Sequence, residues 1–264
     1  MKQLWLCALL LMPQGAQAAA WTQARGTWQI ITGATFSDAT RSFDSSGNAS
    51  YPERFQRLLL QTDTEYGLRD RVTLLVRTET ANAHVRAGNS AAVNALDNAV
   101  EVGARYRLAR PHWLAQDDVL SVELTGRKAG AFNFAYSANA TAGGEDAGIR
   151  LLYGAGFRLG RRYGFIDLEA GERWLSHPRP SQTALDLTAG LWLTPRWMVM
   201  LQSFNLVSGP ARAPYVYFRT HKLEASAVWR MTRRLSLQGG VFFSPAGQNA
   251  LDERGLCLSL WADL

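Results

Sequence analysis

The chain has no apolar run approaching the roughly 18 residues that a membrane-crossing helix needs, which excludes a helical membrane protein. It has two cysteines, Cys7 and Cys257, too few for a disulfide scaffold. Charged residues are only 19% of the sequence, below the roughly 25% of ordinary soluble domains. Helical periodicity is missing, and with it any glycine-rich phosphate loop that opens onto a helix. What is present is hydrophobic surface: 47% of the 264 residues, nine of them tryptophan. That much apolar material excludes a disordered chain. Mean hydropathy is nevertheless slightly negative, at −0.14. The net charge of +6 raises nucleic acid or an anionic surface as a partner until the charges are placed.

The first residues read as an address. Lys2 gives a positive start, Leu4 to Met12 is apolar, and Pro13 and Gly15 break the run. Ala16-Gln17-Ala18 is an A-x-A cleavage signature, so 1–18 is expected to be a secretory signal peptide and 19–264 the mature chain. Removing Lys2 leaves 27 basic residues against 22 acidic ones, a charge of +5, and one cysteine, Cys257.

The mature chain alternates apolar and polar residues, the period of a β-strand with two unlike faces. Leu58, Leu60, Thr62, Thr64 and Tyr66 oppose Arg57, Gln61, Asp63 and Glu65. Val100, Val102, Ala104, Tyr106 and Leu108 oppose Glu101, Arg105 and Arg107. Leu256, Leu258, Leu260, Ala262 and Leu264 close the chain against Cys257, Ser259, Trp261 and Asp263. Twelve such segments are counted from about Gly26 onward. Tight turns at 67–70, 160–162, 194–196 and 230–234, with a longer one at 109–117, alternate with loops expected at 37–54, 81–98, 129–146, 175–183, 207–218 and 244–254. Short turns on one side and long loops on the other fit an all-β fold: a transmembrane antiparallel up-and-down barrel of about 12 strands, with short periplasmic turns and longer extracellular loops. Strands of about 9–11 residues would suffice to cross the bilayer. An even strand count leaves both termini in the periplasm. Tyr66, Tyr106, Phe157 and Trp229 end apolar faces beside the short turns, as an aromatic girdle would. The competing reading, a large soluble β-sandwich or barrel, would bury the same apolar faces instead.

Several segments resemble a known family. Ala20-Trp21-Thr22-Gln23 before Gly26 opens the mature chain, and Glu65-Tyr66-Gly67-Leu68 with Asp70-Arg71 resembles the periplasmic turn of many outer-membrane barrel proteins. Leu201-Gln202-Ser203-Phe204-Asn205 and 249–256 resemble Xag-type outer-membrane proteins. The resemblance implies an association with surface polysaccharide synthesis and biofilm formation, and it brings no catalytic residue.

Catalysis finds little support. His84 and His177 fall in expected loops, His112 in the longer turn and His221 near a strand end, and no His-x-Ser appears. No His or Cys set has metal-ligand spacing, and the chain is expected to need no cofactor and to be no enzyme. The faces opposite the apolar ones supply the candidate lumen lining: Arg57, Asp63, Glu65, Arg77, Glu79, Glu101, Arg105, Glu123, Arg150, Arg158, Asp167, Glu169, Asp186, Trp192, Lys222, Glu224, Trp261 and Asp263. The signs nearly cancel, as in a cross-strand ion-pair network. The tryptophans could stack on sugars or fill space. Nucleic-acid binding is excluded, because the basic residues do not gather on one face with stacking aromatics. The expectation is an outer-membrane protein of a Gram-negative bacterium, a narrow channel or export component for a surface polysaccharide or small polar solutes. The alternative is a closed barrel that promotes attachment through its outer loops. Expected partners are outer-membrane lipid and lipopolysaccharide, the barrel-assembly machinery, and a polysaccharide or its synthesis system.

Overall fold

The structure is a computed structural model that describes residues 20–87, 93–115, 117–130, 144–176, 179–212 and 215–264. The expected signal peptide at 1–18 and His177 lie outside the described residues. So do the middles of the loops expected at 81–98 and 129–146.

Among the described residues twelve strands form: β1 (Trp28–Phe43), β2 (Ala49–Arg69), β3 (Val72–Ala87), β4 (Val93–Ala109), β5 (Val119–Ala129), β6 (Gly144–Leu159), β7 (Arg162–Leu175), β8 (Gln182–Trp192), β9 (Trp197–Ser208), β10 (Arg219–Arg230), β11 (Leu235–Gln248) and β12 (Ala250–Asp263). Each pairs antiparallel with its sequence neighbours, and β12 returns to β1, closing the barrel. The seam runs from Gln29↔Asp263 to Phe43↔Ala250. Closure leaves no strand edge unpaired, as a strand-built wall in hydrocarbon requires.

Solvent exposure decides which face is outside. Leu60, Val102 and Leu258 are 51%, 53% and 55% exposed, while Arg105 and Glu123 on the opposite face are 1% exposed. The apolar face is therefore the outer one, and a soluble sandwich is excluded. Aromatic pairs stand at the short-turn end, with ring centroids 4.4 Å apart for Trp28–Tyr66 and 6.0 Å for Trp197–Trp229. They form the belt expected where hydrocarbon meets headgroups.

The strands exceed the expected length on the other side. β2 has 21 residues. At about 3.3 Å each and a tilt near 40°, such a strand rises about 50 Å, roughly twice an apolar band of about 25 Å. The band ends at the paired row Phe36, Leu58 and Leu256. Beyond it lies a polar row, in which Gln56 and Arg254 both donate to Asp38, at 3.5 and 3.4 Å. The loops expected at 37–54 and 244–254 are thus mostly strand. The first shrinks to a turn at 44–48, where Asp44 Oδ1 accepts the Ser46 and Asn48 amides at 2.8 and 2.9 Å. The second shrinks to Asn249, at φ +46°. Residues 81–87 and 93–98 likewise continue β3 and β4, which puts His84 on a strand rather than in a loop. Ser, Asn, Asp and Gly make turns in isolation, but a closed barrel offers a pairing partner on both sides, and pairing overrides that preference. The remaining outer connections, at 130–143, 176–181 and 209–218, are longer, as expected.

Candidate functional site

The site is the barrel interior. Its charged side chains come from strands whose inward positions recur every second residue, so register decides which of them meet. Asp63, Arg77, Glu101, Arg127 and Asp146 fall opposite one another on consecutive strands β2 to β6. The row alternates in sign at every step. Arg77 reaches Asp63 at 3.3 Å, Glu101 at 2.7 Å and Glu123 at 3.0 Å. A second row, toward the short-turn end, sets Arg105, Glu123 and Arg150 side by side. Arg105 holds Glu65 at 2.8 Å and Glu123 at 2.9 Å. Arg127 pairs with Glu79 at 3.0 Å, and Arg173 of β7 reaches inward to Glu101 of β4 at 3.1 Å. Two like charges, Glu169 and Asp186, lie directly opposite each other. Arg150 bridges them at 2.8 and 3.6 Å. On the far wall, Lys222 holds Glu253 at 2.9 Å, with Arg57 at 3.7 Å. The Asp252-Glu253 pair, expected in a loop, is in β12. Burying charges costs more than a single pair returns, so such a web holds only when every member is matched.

The remaining candidates divide. Glu224 accepts from Cys257 Sγ at 3.2 Å and from Gln238 Nε2 at 3.4 Å. Asp263 accepts from Gln29 Nε2 at 3.0 Å. Arg158 is exposed at the short-turn mouth. Trp192 and Trp261 are buried in an apolar cluster with Phe165, Met198, Met200 and Val228. Arg230 lies 3.9 Å over the Trp192 ring, and Trp261 Nε1 donates to Gln238 at 3.1 Å. These tryptophans fill space. Toward the short-turn end the interior is therefore two-sided, ionic along β2 to β8 and apolar where β7 to β10 and β12 bring this cluster together, while the Lys222–Glu253 pair lies nearer the other end. The stretch 197–206 is apolar on both faces of a strand, so periodicity alone does not orient it. The structure puts Trp197, Val199 and Leu201 outside, and Met198 and Met200 inside.

Sequence reading also missed a stopper. Residues 20–26 precede β1, form no strand, and fold into the barrel from the periplasmic end. Ala20 N–H donates to Asp167 Oδ2 at 2.8 Å, and Ala20 O accepts from Ser121 Oγ at 2.6 Å. Trp21 O accepts from Arg105 Nη1 at 3.0 Å. Gln23 N–H donates to Thr73 Oγ1 at 2.8 Å, and its side-chain amide donates to Glu65 at 2.9 Å. The Trp21 ring meets Phe165 edge-on at 6.4 Å and packs on the apolar cluster. Two glycines make room. A Cβ on Gly154 would sit 2.3 Å from the Trp21 ring, and one on Gly67 would sit 1.9 Å from Ala24 O. The segment thus touches both the ionic and the apolar wall, and Arg105 and Glu65 each serve web and stopper together.

One catalytic expectation needs correction. No His-x-Ser exists in the sequence, but the β9–β10 register brings Ser203 Oγ to 3.4 Å from His221 Nε2 on the outer face. Asn205 donates its amide to the same Ser203 oxygen at 3.1 Å. A nucleophilic serine is activated by a base that is itself oriented by a third group. Here the third group donates to the serine and not to the base, so the cluster satisfies polar groups on the outer wall without forming a triad.

No family model matches the chain, and no curated protein does. Solved structures do. The chain is similar to the COG4313 outer membrane channel from Pseudomonas putida F1, with 14% identity, 95% of this chain and 100% of that one covered, and a TM-score of 0.70. It is also similar to the transport unit of the autotransporter AIDA-I from Escherichia coli, with 12% identity, 97% and 94% coverage, and a TM-score of 0.52. The translocator domain of NalP from Neisseria meningitidis gives 11% identity, 89% and 88% coverage, and a TM-score of 0.51. At these identities the likeness is one of fold. The resemblance to Xag-type proteins rests on its turn and strand-end motifs alone. The closed barrel, its apolar outer face and these neighbours place the chain among the β-barrels of the Gram-negative outer membrane.

Proposed function

We propose that the protein is a narrow outer-membrane channel for small polar solutes, kept shut at its periplasmic end by residues 20–26. The observation that carries this reading is the stopper itself. It is joined to the wall by at least six hydrogen bonds to Asp167, Ser121, Arg105, Thr73, Glu65 and Asp70, yet it contributes no strand to the barrel. A segment that closes a lumen without building the wall is a removable element. The charge-balanced ion-pair web supports a hydrated path without strong ion selectivity, since a selective filter presents an excess of one sign. Hydroxyl-rich solutes suit such a lining, because carboxylates accept from hydroxyls and guanidiniums donate to them. The apolar cluster and the stopper narrow the passage, which favours small solutes over a polysaccharide strand. Solute uptake into vesicles and reversal potentials test the assignment together. Uptake of a small neutral sugar by the chain lacking residues 20–26, with a reversal potential near zero in a salt gradient, is the expected result. Strong cation or anion selectivity would contradict it.

A further inference from the structure

Beside the stopper, at the periplasmic mouth, lies a pocket of about 530 Å³. One wall is the stopper itself, Thr22 to Ala24. Asp70 and Arg71, from the β2–β3 turn, and the end of β4, Arg107 to Arg110, form the others. Three guanidiniums therefore share one concavity with one carboxylate. Arg107 has the like charges of Arg110 and Arg71 beside it, with the Asp70 carboxylate in the same lining. None of the three arginines forms an ion pair among the described residues, in contrast to Arg77, Arg105, Arg127 and Arg150 deeper in the barrel. The cluster is held by backbone, not by counter-charge: Arg107 N–H donates to Arg71 O at 2.9 Å. The stopper is tied to the same turn, since Thr22 Oγ1 donates to Asp70 O at 2.9 Å.

Like charges held together in a concavity raise the local concentration of an anion. Guanidinium forks match phosphate oxygens two at a time. The volume lies within the range of small-molecule sites. Leu108, on the same rim, is 47% exposed on the lipid-facing side, so the pocket is open to a phospholipid headgroup as well as to a free anion.

We propose that this pocket is a binding site for a phosphate-bearing anion, and that occupancy holds the stopper in place. Because Thr22 to Ala24 form a wall of the site, an anion bound there binds the closed barrel better than the open one. By linkage it must then favour closure. The binding claim stands apart from the channel assignment; only the effect on closure rests on it.

Binding is measured by equilibrium dialysis of labelled inorganic phosphate against the refolded full-length barrel in a non-ionic detergent, at fixed ionic strength. Saturable binding by the wild type is expected, with loss of about tenfold or more in R71Q/R107Q/R110Q, since each guanidinium removed takes a charge-assisted contact with it. R233Q/R234Q, on the distant β10–β11 turn, should bind as the wild type does, which separates the site from general positive charge. A chain lacking residues 20–26 keeps all three arginines but loses a wall, so weaker binding is expected there too. Equal phosphate binding by the wild type and R71Q/R107Q/R110Q overturns the site. Equal binding with and without residues 20–26 overturns the link to the stopper. Heat-modifiable gel mobility of each variant confirms a closed barrel before binding is compared. Repeating the measurement in phosphatidylcholine vesicles with and without phosphatidylglycerol distinguishes the source. Competition by phosphatidylglycerol identifies a headgroup as occupant, and its absence identifies a free anion. None of these readouts depends on conductance, so a failed channel assignment would leave them standing.

Discussion

Replacing Arg105 by methionine keeps its volume and removes its charge. Arg105 is 1% exposed and bonds Glu65, Glu123 and the Trp21 carbonyl. Removing one partner of a buried pair typically costs about 3–5 kcal/mol, because a charge is left unmatched. The neighbours decide where in that range the cost falls. Glu123 keeps Arg77 at 3.0 Å. Among the described residues, Glu65 keeps only the Gln23 amide at 2.9 Å. One carboxylate is stranded and not two, so a cost of about 3 kcal/mol is expected, roughly a hundredfold in the folding equilibrium. Urea titration of the barrel refolded in vesicles reads it. A companion variant, R105M/E65Q, removes the stranded charge along with the guanidinium and should recover more than half of the loss. The double-mutant coupling is the informative quantity. A cost below about 1 kcal/mol for R105M, or no recovery in R105M/E65Q, would show that the pairs are water-screened and that the web does not hold the barrel.

Other outcomes follow from single contacts. Gly154→Val puts methyl groups where the Trp21 ring packs; it should raise conductance with little change in urea stability, since it expels the stopper and leaves the wall paired. Leu258→Arg places a charge on the outward apolar face and should cost about 2–4 kcal/mol in vesicles if that face meets hydrocarbon, whereas a soluble barrel would tolerate it. Asp118, in the β4–β5 turn, is buried, which by itself raises its pKa. Hydrogen bonds from the Leu114 amide and the Tyr153 hydroxyl, both 2.7 Å, outweigh that and hold the pKa below the usual carboxylate range. A depressed carboxylate contributes stability above its unfolded pKa near 4 and loses it as pH falls through the lower folded value. Acid should therefore loosen this turn, and Asp118→Asn should remove that part of the pH dependence, as read by hydrogen exchange at 110–118.

The faces of the strands were legible from sequence because side chains alternate with period two whatever the partner strand does. Leu58 against Arg57 or Val102 against Glu101 already separates outside from inside once the turns suggest a membrane. Register was not legible. The alternating row from Asp63 to Asp146, the bridge of Arg150 over Glu169 and Asp186, and the meeting of Ser203 with His221 all depend on how five or more strands slide past one another. Composition misled at 37–54 and 244–254, where turn-forming residues are overruled by pairing on both sides. The stopper left one trace, a tryptophan, a threonine and a glutamine between the expected cleavage site and the first strand. Its counterpart, Gly154, is distant in sequence. Met198 and Met200 lay in a run apolar on both faces, so periodicity had nothing to separate.

Single-channel conductance of the barrel with and without residues 20–26 tests the central claim most directly. The intact chain should be closed or conduct only in brief events, and the shortened chain should conduct steadily with weak ion selectivity. Identical currents from the two, whether both open or both silent, would contradict a lumen governed by that segment.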